Sequence, residues 1–453
     1  MKFHPFTYQK EAIEFILERD RAMIALGVGA GKTAIALQAC YQMKYDYFEQ
    51  YKTIVITSKY AAENVWMQEL KKWDEFQTIR GTVVVGTPKE KMRAVHKNAD
   101  LYITNYDAVE WFLKYKLWNF DLIIIDEVSE FKNETTKRYE KIKSVCSKAK
   151  KIISLTSEPI QNELADLWAE VYLLDRGVRL ERSRQEFVEK YFFRIQTSQG
   201  KGYYLEPKQG AKKAICKKIS DICFVRNDEN WRSRAGVISG EIYVDLNSIE
   251  YSKYCWMQDE MCIAMKKSGK IEVKNKIELS TKLFQMANGA VYDDSQKVIC
   301  IHDRKLDALK EIFRLFPGKN ILIAYWFLHD KKRIMSRYSE AKAIEQMKDI
   351  EEWNQNKIRI GLIHPSMGGS DIRLYKGGNV LVWFSLTWSL HLYQRMIWRM
   401  TSDFEQKLYV EHIVTRNTID EKIYKGLKKK NINQQEMMNV LLEEVKENGE
   451  PGH

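Results

Sequence analysis

The run Met23-Ile24-Ala25-Leu26, then Gly29-Ala30-Gly31-Lys32-Thr33, then Ala34-Ile35-Ala36-Leu37 constrains this chain more than any other segment. It reads as a strand, a glycine-rich turn and a helix in immediate succession. That order aims backbone N–H groups and the positive end of a helix at one spot, which makes a cradle for phosphate. Gly29 and Gly31 suit the tight turn, Lys32 carries the charge that neutralises β- and γ-phosphates, and the Thr33 hydroxyl suits Mg²⁺. The full spacing of such a loop has a glycine five residues before Gly31, where this chain has Leu26. The second half of the site lies downstream. Leu122-Ile123-Ile124-Ile125 is an apolar strand that ends on Asp126-Glu127. One carboxylate at a strand end holds a metal, and a neighbour polarises the attacking water. Asp126 is thus expected to hold Mg²⁺ with Thr33, and Glu127 to act on the water. Both halves in this order predict nucleotide hydrolysis.

Strand and helix signals alternate along the chain, which predicts α/β architecture with parallel sheets covered by helices. Strands are expected at 22–26, 53–57, 82–85, 101–104, 122–125 and 151–155, with helices at 61–72 and 137–147. The rhythm repeats with strands at 321–324, 358–363, 379–384 and 408–414, and helices at 305–316, 331–338 and 388–400. A chain of 453 residues exceeds one hydrophobic core. Two lobes are expected, at 1–175 and 236–425. No apolar run is long enough to cross a bilayer, and residues 1–20 lack a signal-peptide core. Seven cysteines without a CxxC pair argue against a disulfide scaffold or zinc site and for a reducing cytosol. His4, His96, His302, His329, His364, His391, His412 and His453 have no close metal-ligand spacing, which disfavours a nuclease.

A net charge of +12 makes a polyanion the expected partner. The charge is concentrated. Residues 176–234 hold 15 Lys/Arg against 7 Asp/Glu, interleaved with Phe187, Tyr191, Phe192, Phe193, Tyr203, Tyr204 and Trp231. Basic groups contact phosphates, and aromatics stack on bases or wedge against a duplex. Residues 176–235 are expected to form a basic helical insertion between the lobes, with Tyr203, Tyr204, Lys212 and Lys213 as nucleic-acid contacts. The same aromatics would alternatively form a small core of the insertion. Residues 426–453 read as a Lys-rich stretch, an amphipathic helix at 437–445 and a polar tail.

Further blocks occur in a telling order. Phe6-Thr7-Tyr8-Gln9 precedes the loop. Ile54-Val55-Ile56-Thr57-Ser58, Ile103-Thr104-Asn105-Tyr106 and Ser154-Leu155-Thr156-Ser157-Glu158-Pro159 complete the first half. Ala324-Tyr325-Trp326-Phe327, then Trp383 to Leu390 leading into Tyr393-Gln394, then Thr418-Ile419-Asp420-Glu421-Lys422-Ile423 mark the second. With these blocks the chain resembles the superfamily 2 helicases, and more closely the Snf-type (Swi/Snf-like) DNA translocases, in the compact form of phage replication modules. The resemblance implies two tandem RecA-like lobes that bind ATP and Mg²⁺ in the cleft between them and move on DNA. Duplex is favoured as the track and a single strand is possible. It further implies a role in replication or recombination, other proteins of those processes as partners, no membrane, and a cytoplasmic location, the bacterial host's if the chain is phage-encoded. By position, Gln9 would read the adenine edge and Gln394 would join the nucleotide site. Thr57, Ser58, Thr104 and Asn105 would contact the DNA backbone, together with Arg373.

The departures are equally specific. Motif III of the family commonly runs Leu-Thr-Gly-Thr-Pro, and here Ser157 and Glu158 replace its Gly and second Thr. The second-lobe Gly-x-Gly-Leu-Asn loop corresponds to Gly369-Ser370-Asp371-Ile372-Arg373, where Asp371 brings a negative charge that Arg373 must offset. Motif VI normally has two arginines three residues apart. Arg399 holds the first place and Ser402 the second, while Arg395 shares a helix face with Arg399. A finger that reaches the γ-phosphate contributes about 10³–10⁵ in rate. Arg399 and, as a substitute, Arg395 are the catalytic candidates. The alternative reading is a nucleotide-binding DNA clamp or recruitment factor with a weakened or partner-dependent ATPase.

Overall fold

A computed structural model describes the chain except residues 28, 158–163, 197–202, 227–235, 268–272, 294, 368–371, 402–405 and 431–453, with only the backbone described at 259–267 and 273–277. Trp231, Glu158, Pro159, Asp371, Ser402 and the helix expected at 437–445 therefore lie outside the described residues. The remainder falls into two compact units, one within residues 1–228 and one within 229–431.

The first unit is built on a seven-stranded parallel sheet. Its strands are β1 (Arg21–Ala25), β2 (Thr53–Thr57), β3 (Gly81–Val84), β4 (Leu101–Asn105), β5 (Leu122–Asp126), β6 (Lys151–Thr156) and β9 (Cys223–Val225), in the order β3-β4-β2-β5-β6-β1-β9. Most of these strands are buried along their whole length, because helices cover both faces. The pleat divides them. Met23, Ile54, Ile56, Ile123, Ile125 and Ile152 enter one core, while Ala22, Ile24, Val55, Ile124, Ile153 and Leu155 enter the other. Between the strands, the segment expected as helix at 61–72 opens with a π-helical turn (Ala61–Val65) before its α-helical part (Trp66–Lys72).

The basic segment belongs to this first unit. It contains the helices Arg184–Tyr191 and Ala211–Ile219 and, between them, an antiparallel hairpin of β7 (Phe192–Gln196) and β8 (Tyr203–Pro207) that helical periodicity did not signal. Its last described part, β9, completes the edge of the main sheet beside β1.

The second unit carries a six-stranded parallel sheet. β10 (Val237–Val244), β13 (Ile321–Ala324), β14 (Ala341–Ala343), β15 (Ile360–Ile363), β16 (Val380–Trp383) and β17 (Leu408–Thr415) lie in the order β10-β17-β16-β13-β15-β14. A short hairpin of β11 (Ala290–Tyr292) and β12 (Val298–Cys300) stands apart from it. One core face is filled by Ile321, Ile323, Ile360, Leu362, Val380 and Val382. Deeper in the unit, Lys305 and Asp420 are both fully buried and pair at 2.7 Å. The Lys305 ammonium is completed by Asn288 Oδ1 at 2.7 Å and the Phe384 carbonyl at 2.8 Å. That network gives the Thr418 to Ile423 block a structural reason, since a buried ammonium must be paired.

Candidate nucleotide and nucleic-acid sites

The register of the first sheet brings the predicted catalytic blocks to one edge. Ala25 of β1 lies opposite Thr156 of β6, and Leu155 of β6 lies opposite Asp126 of β5. The glycine-rich loop and the Asp126-Glu127 pair thus leave the sheet at its carboxyl end, about 10 Å apart at two strand spacings. Open α/β sheets bind their ligands at that edge.

The loop is strained into shape by glycine where it must be. Gly29 and Gly31 have φ of +84° and +77°, in a region that side-chain-bearing residues avoid. Gly31 caps the helix Lys32–Tyr45, and a Cβ there would come within 2.5 Å of Gln9 Nε2. The Gln9 amide spans two backbones, accepting from Phe6 N at 3.0 Å and donating to Ala30 O at 3.0 Å. Tyr8 OH donates to the same Ala30 carbonyl at 3.1 Å. The Phe6-Thr7-Tyr8-Gln9 block therefore braces the loop. Lys32 Nζ donates to the Leu26 and Gly27 carbonyls at 3.0 and 3.2 Å, which poises the ammonium across the loop. Thr33 lies on the first turn of the helix, half-buried.

Among the described residues, Thr57 and Trp66 orient Asp126 by reaching the same oxygen. Thr57 Oγ1 donates to Oδ2 at 2.8 Å, and the indole N–H of Trp66 donates to it at 3.0 Å. Trp66 is fully buried and was not a candidate from the sequence. In a helical pattern it reads as an apolar core position, and the only clue was that a buried indole N–H needs an acceptor. Tyr106 OH donates to the Asp126 carbonyl at 2.7 Å. Burial, and then the Asp126 charge, hold the Tyr106 hydroxyl well above its ordinary pKa, so it remains a donor.

Glu127 adopts φ 56° and ψ 64°, a left-handed conformation rare outside glycine. Such strain persists where surrounding contacts fix it. One such contact is Ser157, whose hydroxyl lies 3.2 Å from both Glu127 carboxylate oxygens and whose N–H lies 3.4 Å from Oε2. Ser157, one of the two residues that depart from the family's motif III, thus grips the candidate base. Nearby, Glu170 on the helix Leu167–Asp175 is fully buried, and among the described residues neither carboxyl oxygen has a hydrogen bond. Burial, reinforced by the negative charges of Asp166 and Glu127, pushes its pKa well above the ordinary value.

Two phosphate-contact expectations are corrected. Thr57 is buried and its hydroxyl serves Asp126. Thr104 is fully buried and donates to the Val84 carbonyl at 2.8 Å. Neither hydroxyl is presented to a ligand, because both strands are covered on both faces. Ser58 and Asn105 remain half-buried at the carboxyl ends of β2 and β4, with Ser58 Oγ accepting from Ala61 N at 3.1 Å. Tyr203 and Tyr204 are exposed on the hairpin, and Lys212 and Lys213 lie on the first turn of the helix that follows it.

In the second unit, the helix Leu390–Met400 carries Gln394, Arg395 and Arg399, with Ser389 capping its start. Arg399 is fully buried. Arg395 is half-buried, and among the described residues its Nε has no hydrogen-bond partner. The helix is pinned by Tyr393 OH, 2.8 Å from His412 Nε2, while His412 Nδ1 lies 2.9 Å from the Gly240 carbonyl. Burial keeps His412 neutral, with its pKa lowered to about 4. Nδ1 therefore donates and Nε2 accepts. Arg373 lies 3.7 Å over the ring of Trp398.

A family profile described as the SNF2-related domain matches residues 8–288, more than half of the chain. The chain belongs to the SNF2-related family. The chain is similar over almost its whole length to Putative protein p41 of Acyrthosiphon pisum secondary endosymbiont phage 1, at 29% identity over 460 residues, covering 98% of this chain and 99% of p41. It is 26% identical over 180 residues to the Uncharacterized ATP-dependent helicase YqhH of Bacillus subtilis, covering 39% of this chain and 30% of YqhH. Against the DNA annealing helicase and endonuclease ZRANB3 of Mus musculus it is 25% identical over 175 residues, 37% of this chain and 16% of that protein. Among solved structures, the Sulfolobus solfataricus SWI2/SNF2 ATPase core in complex with dsDNA aligns over 98% of this chain and 97% of that one, at 19% identity and a TM-score of 0.46. This SNF2-related chain is an enzyme of the nucleic-acid-dependent ATPase class that includes helicases and translocases.

The residues of the SNF2-related core fit Mg-ATP. A loop turned by two positive-φ glycines, a lysine on loop carbonyls, a threonine on the first helical turn and an oriented aspartate supply the donor set that a metal–triphosphate requires.

Proposed function

We propose that this chain hydrolyses Mg-ATP to drive its own movement along duplex DNA, in phage DNA replication or recombination. One observation carries the reading: Lys32, Asp126 and Glu127, each held by named neighbours, share the carboxyl edge of one sheet. The full-length similarity to a phage protein supports the phage setting. The charge of +12, with a net of +8 in 176–234, supports a nucleic-acid track.

In this reading Lys32 leaves the Leu26 and Gly27 carbonyls for phosphate oxygens, and the loop N–H groups around Gly29 and Gly31 complete the cradle. Thr33 and Asp126 hold Mg²⁺, which when bound neutralises phosphate charge. Trp66 and Thr57 keep Asp126 aimed. Glu127, gripped by Ser157, takes a proton from the attacking water. Gln9 keeps one amide hydrogen and one lone pair for the adenine edge. Arg395 is the finger, Arg399 supports its helix, and Gln394 joins the nucleotide contacts. Ser58, Asn105, Lys212, Lys213 and Arg373 contact the DNA backbone.

The test is ATP hydrolysis with no nucleic acid, single-stranded DNA, duplex DNA or RNA. The expected result is stimulation by duplex DNA of about tenfold or more, with RNA inert. A rate independent of nucleic acid contradicts the reading. That outcome favours the clamp with a weakened ATPase, for which Ser157 on Glu127 and the burial of Arg399 are the supporting observations.

A further inference from the structure

The β7–β8 hairpin is a two-stranded sheet of its own, paired from Phe192 opposite Pro207 to Gln196 opposite Tyr203. Among the described residues, its base is tied to the first unit. Phe192 is buried against Phe187, with ring centroids 5.6 Å apart, Leu205 packs on the same core, and Lys208 N donates to the Tyr191 carbonyl at 2.9 Å. Away from the base the strands expose large rings. Phe193, Tyr203 and Tyr204 are 53%, 54% and 52% exposed. Isolated hairpins of this length are marginal in water.

The pleat sorts these rings onto opposite faces. Tyr204 is the cross-strand partner of Ile195 and shares a face with Phe193. Tyr203, partner of Gln196, lies on the other face with Arg194. The cations near them stand over rings: Arg194 is 5.3 Å from the Tyr203 centroid and Lys208 is 5.5 Å from that of Phe193. A protein-docking surface would present its apolar groups on one side. Here both sides carry a planar ring with a cation beside it, in the most basic segment of the chain. Rings on both faces suit a blade with a nucleobase against each side, and the cations suit the flanking phosphates.

We propose that this hairpin separates DNA strands: at a fork, Tyr204 and Phe193 receive the base of one strand while Tyr203 receives that of the other. The inference rests on the DNA-motor reading above and deepens it from movement on duplex to strand separation.

The test uses the full chain, a Tyr203→Ala/Tyr204→Ala variant and a Tyr203→Phe/Tyr204→Phe variant that keeps the rings. A forked duplex carrying 2-aminopurine at the junction reports unstacking on binding without ATP. A labelled strand reports displacement per ATP hydrolysed, and DNA-free turnover reports an intact nucleotide site. The wild-type and Phe chains should raise the 2-aminopurine signal and displace the strand. The Ala chain should leave that signal flat and lose about tenfold or more in strand displaced per ATP. The proposal is overturned if the Ala chain matches wild type, as it would if the rings bind a protein partner, or if the wild-type chain consumes ATP on the fork without displacing the strand. Absence of any DNA stimulation in the wild type fails the motor reading itself, and is told apart by the turnover measurement.

Discussion

The indole N–H of Trp66 donates to Oδ2 of Asp126 at 3.0 Å, from a fully buried side chain 60 residues earlier in the chain. A ligand carboxylate held by outer donors binds its metal in one orientation, and loss of such a donor typically weakens metal affinity about 10- to 100-fold. Trp66→Phe keeps most of the apolar volume and removes the donor. The Mg²⁺ concentration for half-maximal turnover should rise by about tenfold or more, with the ATP requirement at saturating Mg²⁺ little changed. An unaltered Mg²⁺ titration would remove Asp126 from the metal site.

Ser157→Ala separates two roles for one hydroxyl. If its bonds aim Glu127, their loss should lower kcat by about tenfold, in line with a hydrogen bond to a charged group, and leave KM for ATP unchanged. A rise in kcat would mean that Ser157 restrains Glu127, as in the clamp reading.

Arg395 and Arg399 should behave differently although they share a helix face. Arg395→Ala should leave the melting temperature nearly unchanged and lower DNA-stimulated turnover by about 10³-fold. Arg399→Ala removes a fully buried charged side chain, so it should lower the melting temperature by several degrees. Full turnover in the Arg395 variant would exclude it as the finger.

Glu170 gives a pH signature. Below its ordinary value of 4.5 the carboxyl is protonated in folded and unfolded chains alike and contributes no pH dependence. Above it, the unfolded chain ionises while burial keeps the folded group protonated. Stability therefore falls as pH rises, by about 1.4 kcal/mol per unit, until the folded group ionises. Glu170→Gln should match wild type near pH 4 and melt progressively higher than wild type towards pH 8. A constant difference across that range would contradict the assignment.

The sequence made legible what chemistry requires to be contiguous. The strand, loop and helix around Gly31 and the apolar strand ending at Asp126 lie within a residue or so of their expected positions, because phosphate and metal binding fix both spacing and residue type. Contacts between distant residues were not legible. Ser157 meets Glu127 across 30 residues, and nothing local to either announces the other. Thr57 and Thr104 end strands with hydroxyls, which look alike in sequence whether they face phosphate, a carboxylate or a carbonyl. The hairpin was masked by the lysines and helices on either side of it. The three-residue β9 and the eight-residue β10, with Gly240 and Glu241 in its middle, carry too little apolar alternation to read as parallel strands.

The most direct test of the central claim is phosphate release by the Lys32→Ala chain on duplex DNA, with DNA binding measured on the same preparation. Among the described residues, the Lys32 ammonium donates to two carbonyls of the loop, Leu26 and Gly27. The account predicts that turnover is lost while DNA affinity stays within about twofold of wild type. Normal hydrolysis by that variant would contradict it.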